Sequence, residues 1–412
     1  MLRLFNSMTR SIEIFKPMDP KIVKIFSCGP SIYQQPHIGN YRTFLYEDLL
    51  LRYLEYSGYK VKRSIILTDV ENKSISEAAK NKKTVSDLTD KAAEKFLMEA
   101  KLLKIKLPDP VPRSSTAIKQ AAVLIKLLME KGIAYRHKGD IFFDALKFRD
   151  FGKLFRLDMS RWPKQKRRFK KDTYNGRRWN LGDFILWHGY NEGDMAAWDT
   201  EIGRGWPSWN IQDPAVITKD LGYKIDINCG GIDNIYRHHD YTIAIIESIS
   251  GSDYANYYLH GEHLIVNGKS MSKSRGNIIY PDDVFRKKYS PYHLRFFLLY
   301  RHYRKKSYFT WEKFNLTSAY IDSIRSLIQN ILKKINIIRG IDTESSELID
   351  MIKTEFKNNM DNDLDFNAAI DGVFLKLKKL NMIKDKRGLS LKSINTLEKI
   401  LRDIDKATGV IF

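Results

Sequence analysis

Two short stretches carry side chains suited to handling phosphate. The first runs Cys28-Gly29-Pro30-Ser31-Ile32-Tyr33-Gln34-Gln35-Pro36-His37-Ile38-Gly39-Asn40. In it, His37 can donate a hydrogen bond to a phosphate oxygen, and Gly39 lets the backbone come close to a ligand. The second is Gly268-Lys269-Ser270-Met271-Ser272-Lys273-Ser274-Arg275-Gly276-Asn277, a small-residue loop with Lys273 near its centre. Either stretch alone has a plain reading: a turn histidine beside a capping Asn40, or a solvated surface loop. Two phosphate-type loops in one chain point to a nucleotide triphosphate, ATP.

The elements around them fit that chemistry. Ile22, Val23, Ile25 and Phe26 form a β-branched, apolar run just before Cys28. Phe44, Leu45, Leu49, Leu50, Tyr53 and Leu54 follow at helical spacing. The first stretch is therefore a strand-to-helix turn, where open α/β sheets bind nucleotides and where a helix N-terminus offers free N–H groups. Tyr59–Val70 reads as the next strand, completing a βαβ unit. Thr68 and Asp69 end it, either near a ligand or as a helix cap. Lys224–Asn228 alternates like a strand, Cys229-Gly230-Gly231-Ile232-Asp233 turns, and a helix is expected over 235–248. That is a second strand–turn–helix unit of a doubly wound sheet.

Taken together, the two loops resemble the HIGH and KMSKS signatures of class I aminoacyl-tRNA synthetases. The Cys28–Tyr33 opening, Asp183–Trp187, Cys229–Asp233 and Arg237-His238-His239 are similar to cysteinyl-tRNA synthetases in particular. The likeness spans about residues 20–385 in consistent order. It implies an α/β fold: a class I synthetase Rossmann-like catalytic domain with a parallel sheet, a connective insertion and a C-terminal α-helical bundle. The expected divisions are 1–115 and 183–288 for the two halves of the catalytic domain, 116–182 for the insertion and 289–412 for the helical stem. The family's anticodon-reading domain is expected to be truncated or absent.

The resemblance also implies roles. His37, with Asn40 beside it, would serve the α-phosphate of ATP, and Lys273 with Ser272 the pyrophosphate. Mg²⁺ is expected with the ATP. Ser270 stands where the family has the loop's first lysine, and Lys269 partly compensates. Gly230, Gly231 and Asp233 would lie against the nucleoside, Asp233 accepting from a ribose hydroxyl. Cys28, Gly29, Ser31, Thr68, Trp209, Asp213, Asn228, His238 and Thr242 would surround the amino acid.

The amino-acid pocket departs from the family. Cysteinyl-tRNA synthetases hold zinc with two cysteines, a histidine and a glutamate, a soft site that separates a thiol from a hydroxyl. Here Cys28 and His238 keep their places, but Asp213 replaces a cysteine and Thr242 the glutamate. Zinc is therefore not expected; if any metal is held, Cys28, Asp213 and His238 are the ligands left. His239 reads as polar lining, a reading open for His238 too, and Cys229 falls on the nucleotide side. An Asp213 carboxylate could instead receive a polar or cationic amino acid.

Composition sets outer bounds. The 412 residues can bury a full core in two or three domains. A net charge of +21 favours a polyanionic partner, tRNA or another RNA, although a lysine-rich proteome would leave the same mark. The basic run 161–171, interleaved with Trp162 and Phe169, reads either as an RNA contact or as a solvated loop. Two cysteines exclude a disulfide framework and fit a cytoplasmic enzyme. No signal peptide or membrane span is evident, and a monomer is expected. The leading function is amino-acid activation and transfer to tRNA, with specificity open to change from cysteine. One alternative is a ligase with a non-tRNA acceptor, an amino sugar as in the mycothiol-pathway ligase or a modified nucleoside. The other is a non-catalytic RNA-binding paralogue.

Overall fold

A computed structural model describes residues 1–158, 183–271, 275–340 and 342–412. Its centre is a parallel sheet of four strands. In spatial order they are Ala255–Gly261, Ile225–Gly231, Ile22–Ser27 and Lys60–Ile65. Helix Ile38–Tyr56 joins the last two strands and helix Asp240–Ser250 the first two. The two βαβ halves therefore meet between Ile22–Ser27 and Ile225–Gly231, which pair in parallel with Phe26 opposite Asn228. Both of these central strands turn outward at their carboxyl ends. That crevice is the topological switch point, where open α/β sheets bind ligands.

Side-chain alternation along Ile22–Ser27 feeds two cores. Val23 and Ile25 join the helix Ile38–Tyr56 and the C-terminal helices on one face. Phe26 and, beyond the strand end, Cys28 join the opposite face with Ile211, Ala215 and Tyr258. Cys229 belongs to the first core. The two cysteines thus lie on opposite sides of the sheet, and Cys229 packs away from Cys28's neighbours.

Two sequence expectations change. Phe184–Gly189, expected in the second half of the catalytic sheet, instead pairs antiparallel with Asp140–Phe143 and Gly205–Pro207. With Ala134–His137 these strands form a separate sheet, so the inserted structure runs past residue 182. The helix expected from 235 begins at Asp240; before it, Tyr236 and Arg237 leave helical geometry, Arg237 with φ +70°. In the expected helical stem, the first long helix runs from Trp311 to Leu332. The bundle continues through Thr343–Met360, Phe366–Arg387 and Leu391–Thr408. Among the described residues, no helix is long and apolar enough to cross a membrane.

Candidate active site

The cleft at the switch point is lined by both turns: Cys28, Gly29, Ser31, His37 and Asn40 from one, Gly231 and Asp233 from the other. His37 is the N-cap of helix Ile38–Tyr56. Its Nδ1 accepts from the Asn40 N–H at 3.3 Å, and its own N–H donates to Asn40 Oδ1 at 3.0 Å. An Nδ1 that accepts leaves the ring proton on Nε2, free to donate. Burial lowers the imidazole below its ordinary 6.5, which keeps it neutral near pH 7. Asn40 therefore sets the tautomer of His37; its carbonyl oxygen is committed to the cap.

Gly39 has a packing reason as well. A Cβ there would stand 2.5 Å from Met271 Cε and 3.1 Å from the His37 ring. Ile38 N–H donates to Ile279 O at 3.0 Å, so the segment after the second signature loop rests on the same helix end. Ser272 and Lys273, the expected pyrophosphate group, lie outside the described residues, as does the basic run 161–171.

At the second turn, Gly230 backs onto the His239 ring, 2.8 Å from where a Cβ would sit. Tyr46, from the helix that His37 caps, fixes this turn: its hydroxyl lies 2.7 Å from Gly230 O and 3.0 Å from Gly230 N. Gly231 N–H donates to Asn234 Oδ1 at 2.9 Å, and Asp233 is exposed at the cleft. Lys73, which the sequence reading passed over, also lines the cleft. Its only sequence signal is a lysine soon after the Thr68-Asp69 strand end.

The amino-acid end is a buried polar cluster. Helix Trp209–Asp220, capped by Ser208, places Trp209 and Asp213 one turn apart. Trp209 stacks on His238, with centroids 4.7 Å apart and planes within 6°. Asp213 Oδ2 lies 2.8 Å from His238 Nε2 and accepts from the Cys28 thiol at 3.5 Å. Cys28 Sγ is 3.1 Å from His239 Nε2, whose Nδ1 is 2.8 Å from His260 Nε2. His260 Nδ1 in turn meets Ser7 Oγ at 2.8 Å. Burial, then Asp213, pushes the Cys28 thiol well up. Burial, then His260, holds His239 well below 6.5, and burial takes His260 to about 3.

His239 is thus a member of this cluster, a correction to its reading as polar lining. The signal in the sequence was the His238-His239 pair; the left-handed Arg237 that turns both rings inward was not legible.

Other expected pocket residues act through the backbone or from a distance. A Cβ on Gly29 would stand 1.7 Å from Ile66 O, so glycine is dictated by chain crossing. Thr68 N–H donates to Pro30 O at 3.1 Å and its carbonyl accepts from Ile32 N–H at 3.0 Å, pinning the Cys28–Ser31 loop. Asp69 does not cap the next helix, Asn72–Lys80, whose N-cap is Glu71; it accepts instead from Ser114 Oγ at 2.6 Å and Ser115 N–H at 2.9 Å. Asn228 is buried in mid-strand and accepts from Tyr254 OH at 3.2 Å. Thr242 is buried in the first turn of Asp240–Ser250, after His238 and His239.

Residues 14–319 match the family described as tRNA synthetases class I (C), catalytic domain. A cysteine--tRNA ligase of Brachyspira hyodysenteriae is 36% identical over 416 residues, covering 99% of this chain and 85% of that protein. The chain belongs to the cysteinyl-tRNA synthetase family. It is a ligase of the aminoacyl-tRNA synthetase type. A Methanococcus maripaludis cysteine--tRNA ligase is 34% identical over 387 residues, 91% of this chain and 79% of that one. The fold agrees with that family. Mycobacterium tuberculosis methionyl-tRNA synthetase, in complex with methionyl-adenylate, superposes with TM-score 0.73 at 13% identity, covering 94% of this chain and 92% of that one. The leucyl enzyme of Agrobacterium radiobacter K84, in a ternary complex with tRNA, gives 0.70 at 11% identity, covering 96% and 85%.

The family implies zinc, and the donor set here fits such an ion despite the two replaced ligands. Cys28 Sγ and the His238 and His239 ring nitrogens lie within 4.8 Å of one another; Asp213 Oδ2 neighbours the first two, 3.5 Å from Cys28 Sγ and 2.8 Å from His238 Nε2. A thiol and two imidazoles suit a borderline divalent cation. His260 holds the far nitrogen of His239, as an outer partner of a metal-bound imidazole does.

Proposed function

We propose that this chain uses ATP and Mg²⁺ to activate cysteine as its adenylate and passes the acyl group to the terminal ribose of tRNA. The observation that carries this reading is one cleft with His37 at its helix N-terminus and the Cys28–Asp213–His238–His239 cluster beside it. In the first step a substrate carboxylate oxygen attacks the α-phosphorus of ATP. The bond to the β-phosphate oxygen breaks, and pyrophosphate leaves with the electron pair. Charge spreads over the phosphate oxygens, and the neutral His37 Nε2–H donates to one of them. The positive dipole end of helix Ile38–Tyr56 favours the same charge. Lys273 neutralises the leaving pyrophosphate, and Asp233 accepts from a ribose hydroxyl.

A zinc ion held by Cys28, His238 and either Asp213 or His239 would supply a soft position that prefers a thiolate to a hydroxyl. A second reading, in which Asp213 receives a polar or cationic side chain, draws on the loss of two family ligands. Against it, Asp213 Oδ2 is already within 2.8 Å of His238 Nε2. The test is ATP–pyrophosphate exchange across all amino acids, with and without added zinc, alongside elemental analysis of the protein. Cysteine-dependent exchange that rises with zinc is expected. Zinc-independent exchange with another amino acid would overturn the choice of cysteine. Exchange with nothing, even with tRNA present, would leave the RNA-binding paralogue.

A further inference from the structure

Glu99 is a fully buried carboxylate outside the cleft, on helix Val85–Leu102. Its Oε1 accepts from Gln35 Nε2 at 2.8 Å, and its Oε2 from the Tyr41 hydroxyl at 2.7 Å. Gln35 belongs to the turn that delivers His37, and Tyr41 to the first turns of the helix His37 caps. One turn before Glu99 on its own helix, Lys95 Nζ lies 3.3 Å from Glu99 Oε1. The same ammonium donates to both oxygens of Asp282, at 2.8 and 2.7 Å. Asp282 opens helix Pro281–Arg286, directly after the segment whose Ile279 carbonyl caps Ile38 N–H.

We infer that Lys95 and Glu99 are positioning residues for adenylate formation, a strap that sets the His37 turn against the segment following the 268–277 loop. This inference rests on the ATP chemistry proposed above. A buried carboxylate with three separate partners is costly to build for stability alone. The Lys95–Asp282 end is partly exposed, so as a surface ion pair it would add little stability. Its value lies in geometry: the His37 turn and the segment following the 268–277 loop are both tied to one helix, Val85–Leu102. Errors near 1 Å in such a reference cost rates on the order of a hundredfold.

The experiment uses the full chain with Lys95→Met, Asp282→Asn, the double variant and Lys95→Arg. Each neutralising change is expected to lower the kcat of pyrophosphate exchange about tenfold while leaving the KM for the amino acid unchanged. The double variant should be no worse than the worse single one, and Lys95→Arg should restore most of the rate. The thermal midpoint of Asp282→Asn should stay at the wild-type value, so a fall in its kcat cannot be put down to unfolding. Without any substrate, amide hydrogen exchange over 33–41 and 277–283 should quicken in Lys95→Met. Unchanged exchange in those peptides, unchanged kcat, or losses that multiply in the double variant would overturn the strap. Absence of pyrophosphate exchange in the wild type, with quickened amide exchange in Lys95→Met, would instead sink the proposed reaction and leave the strap standing.

Discussion

His37 acts as a neutral donor because two things coincide. Asn40 N–H occupies Nδ1, and burial keeps the ring from protonating at its ordinary 6.5. His37→Ala should lower the kcat of pyrophosphate exchange about a hundredfold or more, with a smaller change in KM. Its lowered pKa also fixes the pH dependence. The neutral form persists as pH falls through 6.5, so kcat should show no acid limb from His37 until below that value; a limb centred at or above 6.5 would contradict the assignment. At this scale the sequence was informative where spacing is short. His37, Gly39 and Asn40 are neighbours, and their capping geometry follows from one helix turn. His239 was not legible as a cluster member, because its direction depends on the left-handed backbone of Arg237.

Among elements, the two βαβ units could be read from alternation, turn residues and helical spacing, and the parallel sheet is present, though its second helix starts at Asp240 and the strand after the first helix is only Lys60–Ile65. The strand Phe184–Gly189 could not. Its apolar run fits a parallel core strand or an antiparallel insertion equally well, and only the partners Asp140–Phe143 and Gly205–Pro207 decide. The turn after Ile22–Ser27 makes a firm demand on one residue. Gly29→Ala would drive a Cβ to 1.7 Å from the Ile66 carbonyl, a backbone atom that cannot swing away. We expect a loss of about 2 kcal/mol or more in urea unfolding, together with a fall in kcat/KM as Cys28 and Ser31 shift. An alanine variant with wild-type stability would show that the loop tolerates a crossing the geometry forbids.

Across the whole molecule, a buried ion pair joins helix Ile38–Tyr56 of the catalytic domain to the helical stem. Arg295 Nη2 donates to Asp48 Oδ2 at 2.6 Å, while Arg295 Nε reaches Thr408 O at 2.7 Å near the end of the last helix. Arg52 Nε and Lys106 N–H complete the set around Asp48, each at 2.8 Å. Burial pushes the Asp48 carboxyl up, but Arg295 and then Arg52 outweigh it and hold it below the ordinary 3.8. The stability it confers is therefore present above 3.8 and lost as pH falls through the lower folded value. Asp48→Asn should cost about 3 kcal/mol at pH 7. The gap from the wild type should close as pH drops below 3.8; a constant gap would mean that packing, not charge, is lost.

The charge of +21 belongs to this scale too, since it speaks for a polyanionic partner without naming the surface that meets it. Whether tRNA is the acyl acceptor is therefore what a direct measurement decides. The assay is ATP-dependent transfer of radiolabelled cysteine to bulk tRNA, with the label scored for release by mild alkali and with His37→Ala as control. The expected result is an alkali-labile ester on tRNA that the variant fails to make. Robust pyrophosphate exchange with cysteine, but no label on any tRNA, would contradict it and move the acyl group to another acceptor.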